Sequence, residues 1–195
     1  MSAWNILHRM LLVMTISLLS EPIAATVCPD QSALQAGATL YANYCVGCHS
    51  LQYLSKDCVG VTFDALTKPG MPAAQAKQLF GLVPPDLSLV ARARGTKWLR
   101  AFLLGFYPDS TRLFGSNNHV FPQVAMPDVL APLQKNMSAA RFDKTITDLI
   151  YFLDYVAEPV QQERKTFGWY ILLFLGFWLI FAYLLKKSYW RSVKK

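Results

Sequence analysis

Cys45-Val46-Gly47-Cys48-His49 decides how this chain is read. A Cys-x-x-Cys-His stretch is the attachment pattern of a c-type haem. On a helical turn, residues three apart share a face. Cys45 and Cys48 are thereby placed to form thioethers to the two vinyl groups on one haem edge. His49 follows directly, set to turn its imidazole under the iron. Val46 and Gly47 are small and let a porphyrin lie close to the backbone. A thiol redox pair has no need of the adjacent histidine, and a zinc site needs a second ligand pair. The remaining cysteines, Cys28 and Cys58, lie 17 and 10 residues away and form no such doublet.

Before the motif, residues 31–44 read as a helix, with Ala33, Gly37, Leu40, Tyr41 and Tyr44 along one face. Gly37 costs such a helix about 1 kcal/mol against Ala. Close approach of a second helix is the reason to keep it. The candidate partner is residues 138–156, where Ser138 starts a helix and Ile146, Leu149, Ile150 and Leu153 form an apolar stripe. Lys68-Pro69-Gly70-Met71-Pro72 is a turn, and residues 73–80 a short helix. Pro84-Pro85 breaks the chain, Asp86 is positioned to cap a helix over 87–93, and Gly95 ends it. Residues 98–106 read as a further helix. Residues 108–127, with Gly, Asn and Pro at intervals, read as a long irregular loop, a form that is usually functional.

Two apolar runs bracket this domain. Residues 10–19 carry no charge, follow His8 and Arg9, and exit through Ile23-Ala24-Ala25. A charged flank, a short apolar run and a small-residue exit describe a secretory signal peptide, here 1–25. The second run, 166–185, is 20 residues without a charge. As a helix it covers about 30 Å, the hydrocarbon thickness of a bilayer. Trp169, Tyr170, Tyr183, Tyr189 and Trp190 stand near its ends, where aromatic rings favour the interface. Arg164 and Lys165 precede it, while Lys186, Lys187, Arg191, Lys194 and Lys195 follow. The heavier basic flank predicts a cytoplasmic tail, 186–195, and an exported domain, 26–163.

The net charge of +7 resides in those flanks. Between residues 26 and 163 there are 11 basic and 11 acidic side chains, so the domain is neutral and nucleic-acid binding has no support. An exported location permits a disulfide between Cys28 and Cys58. Two free thiols or an intermolecular link satisfy the sequence equally, since spacing does not give the distance a bridge requires.

A histidine-ligated haem has either a sixth ligand or an open site. A methionine thioether points to electron transfer, because soft sulfur favours ferrous iron. The candidates after the motif are Met71, Met126, Met137 and His119. Met126 closes the irregular loop and stands between prolines in Phe121-Pro122-Gln123-Val124-Ala125-Met126-Pro127. An open site, meaning a haem enzyme or gas sensor, remains the alternative of another class.

Three segments resemble the cytochrome c1 family, particularly its bacterial forms: Tyr44 to Leu51, Pro84-Pro85-Asp86-Leu87-Ser88 with Ala91-Arg92-Ala93-Arg94, and Phe121 to Leu130. The C-terminal anchor stands in the family's place. The resemblance implies a mainly α, class I c-type cytochrome domain with irregular loops and one C-terminal transmembrane helix. It implies one covalent haem c on Cys45 and Cys48, iron ligated by His49 and Met126, and Arg94 near a haem propionate. A guanidinium pairs well with a carboxylate in a poorly solvated pocket. Pro84 and Pro85 are expected to wall the haem crevice.

It further implies an electron carrier that is not catalytic alone, within a quinol–cytochrome c oxidoreductase, the bc1 complex. The expected partners are cytochrome b, a Rieske iron–sulfur protein, a soluble or tethered cytochrome c and membrane lipid. The expected location is the bacterial inner membrane, crossed once, with the haem domain periplasmic. A membrane-anchored monohaem cytochrome donating directly to a terminal oxidase fits the same motifs. The domain's neutral balance leaves the acceptor open.

Overall fold

A computed structural model describes residues 30–54 and 64–193. The expected leader, Cys28, Cys58 and the last two lysines lie outside the described residues. Within them the chain runs α1 (Gln31–Tyr44), α2 (Asp64–Thr67), α3 (Ala73–Phe80), α4 (Val90–Arg94), α5 (Thr96–Leu104), β1 (Phe106–Pro108), β2 (Ser116–Asn118), α6 (Ala131–Asn136), α7 (Ala139–Ala157) and α8 (Gln161–Val193).

The core is the crossing of α1 on α7. Leu34, Gly37, Ala38, Leu40 and Tyr41 are buried on α1, facing Phe142, Ile146, Leu149, Ile150, Phe152, Leu153 and Val156 of α7. The Tyr41 and Phe152 rings lie 5.9 Å apart, tilted by 55°. Gly37 sits at the contact point: a Cβ there would stand 2.2 Å from the Asp148 carbonyl oxygen and 2.5 Å from Phe152 Cβ. The close approach expected from a mid-helix glycine is therefore what the fold uses. Ser138 caps α7, its hydroxyl accepting from the Arg141 N–H at 3.4 Å. Asp148 is buried and accepts from Lys144 Nζ at 2.6 Å, one turn earlier. Arg100 on α5 pairs with Asp143 and donates to Thr147 Oγ1 at 3.1 Å, tying the middle of the chain to α7.

Two expectations are corrected. The stretch 108–127 is not structureless. It opens in an antiparallel pair, β1 with β2, in the register Phe106–Asn118, Tyr107–Asn117 and Pro108–Ser116. β2 is buried along all three residues and wholly polar, so it lacks the apolar alternation that marks a half-buried strand. Asp86, expected as a helix cap, caps none: α4 begins at Val90, with Leu89 at its N-cap and no side-chain cap bond.

α8 exceeds the apolar run that announced it. Residues Gln161–Arg191 form one helix long and apolar enough to cross a membrane. Its large apolar side chains, from Phe167 to Trp190, are each more than half exposed. At 31 residues this helix covers about 46 Å, beyond the roughly 30 Å of hydrocarbon in a bilayer.

Candidate haem site

The motif continues α1 as a tight turn. Cys45 N–H and Val46 N–H both donate to the Tyr41 carbonyl, at 2.9 and 3.1 Å, and His49 N–H donates to the Cys45 carbonyl at 2.9 Å. The second strut comes from the Pro69–Pro72 turn. Gly70 N–H donates to the Val46 carbonyl at 2.8 Å and Met71 N–H to the Gly47 carbonyl at 2.9 Å. Both glycines belong to this packing, since a Cβ on Gly70 would stand 3.4 Å from Gly47 Cα. Met71 is thus engaged through its backbone in shaping the motif.

His49 is oriented by the second residue of the double proline. Its Nδ1 lies 2.7 Å from the Pro85 carbonyl oxygen. A carbonyl only accepts, so Nδ1 carries the proton and Nε2 keeps its lone pair. Burial, the leading cause, holds the His49 pKa below its ordinary value, against the opposing pull of the Pro85 bond and the Asp86 charge. A neutral imidazole with a fixed tautomer and a free Nε2 is the form that binds a metal.

Asp86 holds Pro85 in place. Its carboxylate accepts from Ser50 Oγ at 2.6 Å, Gln52 N–H at 2.9 Å and Ser88 N–H at 2.9 Å. Leu87 N–H adds a bond to the Ser50 carbonyl at 2.9 Å, and Tyr53 N–H one to Ser88 Oγ at 3.1 Å. The residues just after His49 are thereby laced to those just after its acceptor, Pro85. Burial would raise the Asp86 pKa, but the bonds from Ser50, Ser88 and Gln52 prevail and hold it below the usual carboxylate range. Sequence reasoning gave Pro84 and Pro85 a packing role and missed this clamp. The signal was present in the recurrence of short polar side chains at Ser50, Asp86 and Ser88.

Cys45 and Cys48 are not in a disulfide. Burial, reinforced by Cys48, pushes the Cys45 thiol up to about 12, and burial raises Cys48 as well. Both are therefore thiols at neutral pH and not the reactive thiolates of a redox pair. The donor set fits a covalently held haem: two protonated thiols, an adjacent imidazole with Nε2 free, and small residues between. Two buried polar atoms, Tyr41 Oη and Arg112 Nε, have no partner among the described residues.

The other expected residues fall as follows. Met126 is half-buried in a bend between the buried Val124 and Leu130. Met137 ends α6 and accepts weakly from Thr145 Oγ1 at 3.9 Å. His119 is exposed and stacked on Tyr107, ring centroids 4.3 Å apart. Arg94 ends α4, exposed, with its guanidinium 5.3 Å from the centre of the Trp98 ring.

Comparison with known proteins identifies the family. The profile of the Cytochrome C1 family matches residues 59–193. Cytochrome c1 of Allochromatium vinosum is 41% identical over 210 residues, covering 84% of this chain and 86% of that protein. A protein of Nitrosomonas europaea named ammonia monooxygenase gamma subunit is 34% identical, with 84% and 85% covered. Cytochrome c1 of Rhodospirillum rubrum is 27% identical, with 85% and 83% covered. With its class I c-type fold, its haem chemistry and its apolar C-terminal helix, the chain belongs to the cytochrome c1 family, the haem-containing electron-transfer subunits.

Proposed function

We propose that this chain is the cytochrome c1 of a quinol–cytochrome c reductase, receiving one electron at a time from a Rieske iron–sulfur protein and passing it to a soluble or tethered cytochrome c. Cytochrome b, where quinol is oxidised, is the membrane partner. A relative named cytochrome b/c1 supports that pairing. The observation that carries the reading is the Nδ1 bond of His49 to Pro85, which leaves Nε2 as the only imidazole lone pair next to two free thiols.

Bound haem supplies a one-electron iron couple. Cys45 and Cys48 anchor it through thioether bonds. His49 Nε2 and Met126 Sδ ligate the iron, the soft sulfur favouring the ferrous form. Asp86 and Pro85 fix the imidazole, and Tyr41 and Leu51, both fully buried, exclude water from the turn behind the motif. Arg94 pairs with a propionate, which requires it to leave or share its stacking on Trp98. No bond of a substrate is made or broken by this chain, and it is not catalytic alone. The domain 26–163 lies on the periplasmic side, with 1–25 as leader, 166–185 in the bacterial inner membrane and the basic tail 186–195 cytoplasmic.

The test is detergent extraction of a tagged chain from its native membrane, with mass spectrometry of what accompanies it. Recovery of a cytochrome b and a Rieske protein is the expected result. Recovery of terminal oxidase subunits, or of ammonia monooxygenase subunits, without those two refutes the reductase assignment and leaves the haem site standing.

A further inference from the structure

We propose that Asn117 and Arg112 are positioning residues for the iron-ligating methionine, acting by holding Gln123 in a left-handed backbone conformation three residues before Met126. The inference rests on Met126 as the sixth ligand. Gln123 has φ of 62° and is the sole non-glycine residue with positive φ among the described residues. An L side chain is disfavoured there, and such conformations persist only where the surroundings impose them. The Gln123 side chain is exposed, so packing does not impose this one.

The backbone of Gln123 is gripped from both sides instead. Its N–H donates to Asn117 Oδ1 at 2.8 Å, and its carbonyl accepts from Arg112 Nη2 at 2.7 Å. The same Nη2 lies 3.4 Å from the Val124 carbonyl oxygen. Asn117 is itself buried and fixed. Its Nδ2 donates to Asp109 Oδ2 at 2.9 Å, which settles the amide orientation and leaves Oδ1 facing Gln123. Asp109 in turn accepts from the Thr111 N–H at 3.0 Å, next to Arg112. A network anchored on the buried strand β2 thus ends on the peptide units of one strained residue. The neighbouring Asn118 and Ser116 side chains hold Val120, Phe121 and Asp128, so the loop is pinned on both sides of the strained point.

A strained residue held at one point of a ligand loop determines where that loop ends. If the grip is released, Gln123 relaxes to negative φ, and the chain from Val124 to Met126 turns away from its present course. The iron–sulfur bond then competes less well with external ligands.

The experiment compares full-length, haem-loaded protein in detergent: the parent, Asn117→Ala, Asn117→Ala with Gln123→Gly, and Met126→Leu. The readouts are haem content, the weak far-red absorption of a thioether–iron bond in the oxidised protein, and the affinity for added imidazole. Glycine adopts positive φ without strain, so it serves as the rescue. The expected result is that Asn117→Ala keeps its haem but loses far-red intensity and binds imidazole about tenfold more tightly, a factor typical of releasing one left-handed residue. Adding Gln123→Gly restores both. Should Asn117→Ala not fold, Arg112→Gln with and without Gln123→Gly carries the same comparison. An unchanged spectrum and imidazole affinity overturn the proposal. A loss that Gln123→Gly does not restore also overturns it, since that is what a general structural role produces. If Met126→Leu itself keeps the far-red band, the ligand assignment has failed, and this inference falls with it for a separately identifiable reason.

Discussion

Gly37→Ala is a small change with a calculable outcome. The added Cβ would stand 2.2 Å from the Asp148 carbonyl oxygen and 2.5 Å from Phe152 Cβ. Ordinary carbon contacts lie at about 3.5 Å or more. Neither obstacle is the far end of a flexible side chain, so α1 must lift off α7 by about 1 Å. That separation opens the seam shared by Leu34, Tyr41, Ile146, Leu149 and Phe152, all at most 1% exposed. Overpacking of this kind costs about 3 kcal/mol at the upper end of its usual range. The helix itself gains about 1 kcal/mol from replacing glycine. The net expectation is a loss of about 2 kcal/mol. The assay is urea unfolding of the detergent-solubilised, haem-loaded chain, followed by circular dichroism and by the haem absorption band. Ala36→Gly provides the counterpart on the exposed side of the same helix, where about 1 kcal/mol of propensity is lost with no steric term. A Gly37→Ala protein as stable as the parent, or more so, would refute the claim that close helix approach fixes this residue.

Met126→Leu should abolish the low-spin spectrum of a histidine–methionine haem and lower the reduction potential, as redox titration would show; an unchanged potential would return Met71, Met137 and His119 to consideration. Asp86→Ala strips partners from Ser50 Oγ and from the N–H groups of Gln52 and Ser88, and should cost about 2 kcal/mol in thermal unfolding while loosening His49. The Asp86 pKa is depressed in the folded state, so its contribution is complete above the unfolded value of about 3.9 and is lost as pH falls through the lower folded value. Acid unfolding of Asp86→Asn should accordingly be less steep across that range than the parent's, and equal slopes would contradict the clamp. The Arg100–Asp143 pair, with side chains 38% and 59% exposed, should be worth about 0.5 kcal/mol and be weakened by salt, as a double-mutant cycle at two ionic strengths would report.

What could be read from residues alone followed from how each signal arises. α1 and α7 announce themselves because a helix that buries one face repeats its apolar residues at a fixed interval, and Gly37 stands out against that background as a cost needing a reason. The motif 45–49 is legible because the chemistry of attachment dictates both residue type and spacing. β2 was not legible, since Ser116, Asn117 and Asn118 are buried to satisfy loop peptide groups, and hydrogen bonding to the chain has no periodicity to find. Asp86 misled for a related reason: a carboxylate before a predicted helix looks like a cap, and only the fold shows Ser50 and Gln52 brought to it from just after the motif, more than 30 residues earlier. The positive φ of Gln123 leaves no trace in a side chain that is neither Gly nor Asn.

The junction between α7 and α8 has a consequence for reach. Only three residues, 158–160, separate the end of the domain's principal helix from the start of the candidate membrane-spanning one. Even these are braced, since Glu158 pairs with Arg164 across the break and its N–H closes onto the Asp154 and Tyr155 carbonyls. A chain of three residues extends to about 10 Å at most, so with α8 in a bilayer, as proposed, the domain would have almost no slack above it. On that reading it stands as a fixed post and not as a swinging arm. Under the proposed function, a change of distance between its haem and a donor or acceptor would then be travelled by the other protein.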